Sequence, residues 1–155
     1  MPNEKRELLR GDLTRRVVGA FFETYNELGF GFSEAICAEC LAIVLAGRGI
    51  PFQREPSVSV SFRGRRIGIL RPDFVVDSAL VLELKAARLL EPRHNVQLLN
   101  YLRATRIEVG LLLNFGHRPE FRRFVYANWR KSLPAEHRPP MDCDLPIAGE
   151  TERSR

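Results

Sequence analysis

Residues 71–86 read RPDFVVDSALVLELKA. The run ALVLELK at 79–85 is apolar at nearly every position until Glu83. An alternating pattern marks a strand with one wet face, whereas a continuous apolar run marks one covered on both faces, hence a central strand. DFVV at 73–76 reads as a neighbouring strand, and a hairpin-like connection around Asp77 and Ser78 would bring Asp73 beside Glu83. An unpaired carboxylate in such a strand is very costly, so Glu83 must be paired, hydrogen-bonded or bound to a metal. Residues two apart on a strand point the same way, so Glu83 and Lys85 share a face.

Working outward, the chain gives further elements. A first helix is expected from about Asp12, as N-cap, to Leu28, with Val17, Val18, Phe21, Phe22, Tyr25 and Leu28 on one face and Gly29 as the stop. After GFGF, Ser33 caps a second helix running from Glu34 to about Arg48. SVSVSF at 57–62, a turn at 63–64 and RRIGIL at 65–70 read as a hairpin that DFVV continues into one sheet. Pro92 opens a third helix, about 92–104. IEVGLLLNF at 107–115 is another fully covered strand, and FRRFVYAN at 121–128 reads as an edge strand. The order α–α–β–β–β–β–α–β predicts helices on both faces of a small mixed sheet.

At 155 residues the chain is sized for one domain. We place that domain at 1–130 and expect a loose tail at 131–155, where four prolines lie among charges. No apolar stretch reaches the ~20 residues that span a bilayer, and the polar N-terminus lacks the apolar core of a signal peptide. The expected location is the cytoplasm. Cys37, Cys40 and Cys143 suggest no disulfide framework, and the CxxC at 37–40 reads as helix packing. Residues 1–130 hold 20 basic and 14 acidic side chains, a net +6, which suits a phosphate-rich partner. Only three of the 24 basic residues are lysines: Lys5, Lys85 and Lys131.

Two hard carboxylates at one point suit Mg²⁺, with water and phosphate at its other positions. Lys85 could then orient a water or stabilise charge on phosphorus. The competing account is a solvated Glu/Lys pair beside a turn aspartate. On the third helix Gln97 and Tyr101 share a face with Arg93, while Leu98, Leu99 and Leu102 supply the packing side. That face could reach Lys85 or a phosphate, or simply mark the helix boundary. His94 reads as a surface residue or one that supports the site from behind. Glu34 is either a favourable first-turn acid or a third acid for the metal.

Together, NELGFGFSEAICAECLAIVLAGRGIPFQRE, RPDFVVDSALVLELKA, HNVQLLNYLRAT and VGLLLNFG resemble the small GxxExxY proteins of the PD-(D/E)XK nuclease superfamily, over roughly residues 12–127. The resemblance implies a three-layer α/β/α, restriction-endonuclease-like core and a Mg²⁺- or Mn²⁺-dependent nuclease. It puts the metal acids on Asp73 and Glu83 with Glu34 assisting, and catalytic roles on Lys85, Gln97 and Tyr101. The tyrosine of the GxxExxY motif is Cys37 here. Arg71, Arg88 and Arg93 are the arginines expected to bind nucleic acid, DNA or RNA. Two alternatives stand beside this reading: a silent nuclease fold that holds nucleic acid, and a protein partner or homo-oligomer contacting through FVYANW.

Overall fold

The computed structural model describes the backbone over residues 2–131 and side chains over 10–131. Its elements are α1 (Pro2–Leu28), α2 (Glu34–Gly47), β1 (Phe52–Arg54), β2 (Val58–Phe62), β3 (Arg65–Leu70), β4 (Phe74–Val76), β5 (Leu80–Lys85), α3 (Pro92–Ala104), β6 (Val109–Phe115) and β7 (Pro119–Val125). Five strands form one sheet in the order β1-β4-β5-β6-β7, with β5 central as its composition requires. The β5–β6 pair is parallel and the other neighbours are antiparallel. α3 is the crossover that a parallel pair needs.

The pleat of β5 divides the core. Leu80, Leu82 and Leu84 face α1 and α2, packing in one cluster with Val17, Phe21, Leu41 and Leu45. Val81 faces the other way and packs with Leu98, Leu99, Leu102 and Leu112. Glu83 and Lys85 follow Val81 at two-residue steps, so they emerge on the α3 side. Deleting one of the fully buried leucines should cost ~2–5 kcal/mol, so β5 is a rigid mount for the groups at its end.

The structure corrects several expectations. α1 begins at Pro2, and Asp12 lies inside it with its carboxylate 3.2 Å from Arg15 one turn on. A Gly-Asp pair resembles a cap, but nothing at that point stops the helix. β1 went unread because it has three residues between Pro51 and Pro56. β2 and β3 do not extend the main sheet; they form a separate two-stranded sheet beside α3. Strict alternation in β2 buries Val58 alone fully, and Phe62 is exposed. The edge strand β7 starts two residues earlier and ends three residues earlier than expected, at Pro119–Val125. Lys131, expected in the tail, is buried within the body. The rest of that expected tail, 132–155, lies outside the described residues. Among the described residues no helix is long and apolar enough to cross a membrane.

Candidate active site

The turn between β4 and β5 sets the site. Asp77 and Ser78 both have φ of 51°, and the Ala79 N–H donates to the Val76 carbonyl at 3.0 Å. Two successive positive-φ residues make a tight turn, and the register leaves three residues, 77–79, between the paired Val76 and Leu80. The hairpin pairs Val76 with Leu80 and Phe74 with Leu82, and one more step of the same register sets Asp73 opposite Glu83. The Asp73 carboxylate accepts the Leu84 backbone N–H at 2.7 Å.

Glu83 is 4% exposed. One of its oxygens meets Lys85 Nζ at 3.3 Å. The other, Oε2, is buried and has no hydrogen-bond partner. Burial, then the Asp73 charge, pushes the Glu83 carboxyl up to about 8 against the pull of Lys85. Asp73 is raised as well, chiefly by burial, with the Leu84 N–H and Lys85 opposing and Glu34 and Glu55 adding to the rise. An orphaned carboxylate oxygen beside a second carboxylate is short of positive charge. That donor set fits a divalent cation, which commonly takes one or two protein carboxylates and completes its shell with water and phosphate.

Lys85 is held from both sides. Its ammonium also donates to Gln97 Oε1 at 2.9 Å. Gln97 Nε2 donates to the Tyr101 hydroxyl at 3.2 Å, and that hydroxyl donates to the Arg71 carbonyl at 3.3 Å. Burial, then the Glu83 charge, pushes the Tyr101 phenol up to about 12, so it stays protonated and able to donate. The chain thus runs from Glu83 through Lys85, Gln97 and Tyr101 to the backbone just before Asp73.

The remaining expected residues are less closely engaged. Glu34 is exposed in the first turn of α2; its charge is felt at Asp73 and Glu83. No group of three His, Cys, Asp or Glu side chains able to hold a metal is assembled among the described residues. Arg71 and Arg88 are exposed, while Arg93 is paired with Glu91 at 2.7 Å. His94 is not a surface residue. It is 8% exposed, and its Nδ1 accepts the Glu91 N–H at 3.0 Å, capping α3. That bond needs a neutral ring, in keeping with a pKa lowered by burial and by the Lys85 and Arg93 charges. Cys37 packs into the core, its thiol raised chiefly by burial, with the Cys40 and Glu34 charges adding to the rise. Phe124, Tyr126 and Ala127 are buried, so FVYANW offers little free apolar face beyond Trp129.

The geometry now has a counterpart among known proteins. The profile of the PD-(D/E)XK nuclease superfamily matches residues 11–124. The chain belongs to the PD-(D/E)XK nuclease superfamily. The match spans α1 through most of β7, and the mixed five-stranded sheet with helices is consistent with that superfamily's restriction-endonuclease-like fold. One solved structure, "Crystal structure of SSO0001", aligns with a TM-score of 0.46 and 19% identity over 77% of this chain. The aligned part is 60% of that structure's length. No curated protein matches.

Sequence reasoning missed two features beside these residues. Glu55 has a φ of 46°, donates its N–H to the Asp73 carbonyl at 3.1 Å and adds to the acidic field there. A cleft lined by Phe30, Phe32, Ala86, Arg88 and His117 is the other. The signal for the cleft was GFGF, two aromatics on a loop whose glycines resist burial in any element.

Proposed function

We propose that this chain is a divalent-metal-dependent nuclease of the GxxExxY type, hydrolysing nucleic-acid phosphodiester bonds with Mg²⁺ or Mn²⁺. The observation that carries the reading is the buried, partnerless Glu83 Oε2 set beside Asp73, with Lys85 clamped against the other oxygen. Asp73 and Glu83 would hold the cation, and the Glu34 charge would assist from α2. The chemistry a bound divalent cation supplies is polarisation of a phosphoryl oxygen and a lowered pKa for water. Lys85 would place its ammonium against the phosphate or the attacking water, where developing negative charge is stabilised most in a dry site. Gln97 and Tyr101 would fix the direction of that ammonium. Arg71 and Arg88, both exposed, would meet the backbone phosphates.

The test is purified protein with Mg²⁺ or Mn²⁺ on single- and double-stranded DNA and on RNA. Lys85→Ala and Asp73→Ala should each lower cleavage by at least about 10²-fold, the scale of one lost charge-stabilising group. Cleavage that persists in either variant would remove the reaction from this site.

A second reading is favoured by one observation: Glu34 stays exposed and closes no three-acid group. A silent nuclease fold would hold nucleic acid through Arg63, Arg65 and Arg66, all exposed on the β2–β3 hairpin. It predicts binding that needs no metal and weakens steeply with salt.

A further inference from the structure

The cleft next to Lys85 lies outside the residues assigned to metal or to the attacking water. Its volume is about 380 Å³, within the range of small-molecule sites. Phe30, Phe32, Ala86, Ala87, Arg88 and His117 line it. Phe30 is 57% exposed and Phe32 44%. Single exposed apolar residues are ordinary, so exposure is only the start. Here two rings stand at one concavity, and the Phe30 ring meets the His117 ring at 4.6 Å. Exposed Arg88 completes a rim of flat, π-bearing groups.

The floor is fixed. The Asn114 side chain accepts the Ala87 N–H at 2.9 Å and donates to the Ala87 carbonyl at 2.8 Å. The Tyr25 hydroxyl reaches the Gly116 and His117 carbonyls at 2.7 and 2.9 Å, across more than ninety residues of sequence. A Cβ at Gly116 would lie 2.2 Å from the Ala87 carbonyl oxygen, so β6 and the strand end after Lys85 close together only with glycine there. The rim is set by backbone geometry too. Gly29 and Gly31 sit at φ of 79° and 101°, left-handed conformations that cost other residues energy. The loop thereby presents Phe30 and Phe32 outward.

Both walls lead to the proposed catalytic groups. Ala86 directly follows Lys85, and the aromatic loop runs from Gly29 into Glu34. We propose that this cleft is a nucleobase-stacking subsite, so the strand the protein takes is single-stranded nucleic acid. The inference rests on the nuclease reading for the neighbouring phosphate. A base of an intact duplex is stacked and paired, whereas an unpaired base is free to lie on an aromatic or guanidinium plane. An apolar peptide would use the rings equally well, but Arg88, a body of net +6 and continuity with a phosphate-directed lysine favour a nucleotide.

The experiment is fluorescence anisotropy of the full chain in EDTA, which removes cleavage. The probes are a labelled single strand, an abasic strand of the same length and a duplex. Tightest binding is expected for the base-bearing single strand. Phe30→Ala and Phe32→Ala should each weaken it by about 5- to 100-fold and leave the abasic strand unchanged. Phe30→Tyr, which keeps the ring, should bind as wild type. Equal affinity for base-bearing and abasic strands, preference for the duplex, or unaltered alanine variants would each overturn the subsite. Cleavage by the same proteins in Mg²⁺ separates the two readings. Base-dependent binding without Asp73-dependent cleavage sinks the nuclease and keeps the subsite. Asp73-dependent cleavage with unaltered Phe30→Ala and Phe32→Ala binding does the reverse.

Discussion

Lys85 and Lys131 are two of only three lysines among 24 basic residues, and the fold buries both ammonium groups in different ways. Lys131 donates to the Thr105 and Ile107 carbonyls at 2.8 and 2.9 Å, neutral acceptors that ask nothing further. Burial pulls its pKa down to about 7, with the Glu108 charge opposing. Lys85 instead meets a carboxylate whose second oxygen has no partner, and a glutamine that is itself held by a tyrosine. The first arrangement is complete within the chain. The second is balanced only if something positive arrives. Scarcity of lysine therefore marks places where a compact ammonium fits and an Arg fork does not; it does not by itself mark chemistry.

The comparison breaks most visibly at Glu83. Its folded pKa of about 8 lies above the ordinary value of 4.5, so between those pH values the folded state holds a proton that the unfolded state has lost. Stability from this group is complete below about 4.5 and falls as pH rises toward 8, by at most about 1.4 kcal/mol per unit. Glu83→Gln should therefore melt higher than wild type at pH 8 without metal, while losing cleavage. Denaturant titrations across pH 5–9 check this; a variant that melts lower at pH 8 would show that the carboxylate is not destabilising.

Lys131 titrates in the opposite sense. Its folded pKa of about 7 lies below 10.5, so in that window the unfolded state binds the extra proton and stability rises with pH. Lys131→Met should flatten that rise and leave cleavage unchanged, as hydrogen-exchange or melting data above pH 7 would register. Tyr101→Phe is a smaller break. It removes the hydroxyl that the Arg71 carbonyl and the Gln97 Nε2 share, while Gln97 keeps Lys85, and should cost about 1 kcal/mol of stability and several-fold in cleavage. If melting falls but cleavage holds, the tyrosine supports the fold and not the Lys85 ammonium. Arg93→Ala should be smallest: an exposed pair with Glu91 is worth about 0–1 kcal/mol, and nucleic-acid affinity should change by less than about twofold.

How much of this was legible depends on sequence distance. β5 announced itself as a central strand because both its faces are apolar, and a hairpin-like connection around Asp77 and Ser78 was enough to bring Asp73 beside Glu83. The Lys85–Gln97–Tyr101 chain was readable in part, since spacing puts Gln97 and Tyr101 on one helical face but not against β5. What spacing cannot encode is which surface an element meets. Alternation in β2 promised one covered face and did not say that α3, instead of the main sheet, would cover it. The Tyr25 clamp on Gly116 and His117 and the Asn114 clip on Ala87 are likewise long-range, and with them went the cleft. The surface alternative for His94 fails because a histidine at the third position after a helix cap has no pattern that separates a capping group from a surface one.

The central claim is that the end of β5 is built to receive a divalent cation. Calorimetric titration of Mn²⁺ and Mg²⁺ at pH 7, in buffers of different ionisation enthalpy, tests it directly. Wild type should bind one cation and release protons, because Glu83 is protonated below about 8 and must ionise to bind metal. Both the binding and the proton release should vanish in Asp73→Ala and Glu83→Gln. Equal binding in wild type and both variants, or binding with no proton release, would contradict the account.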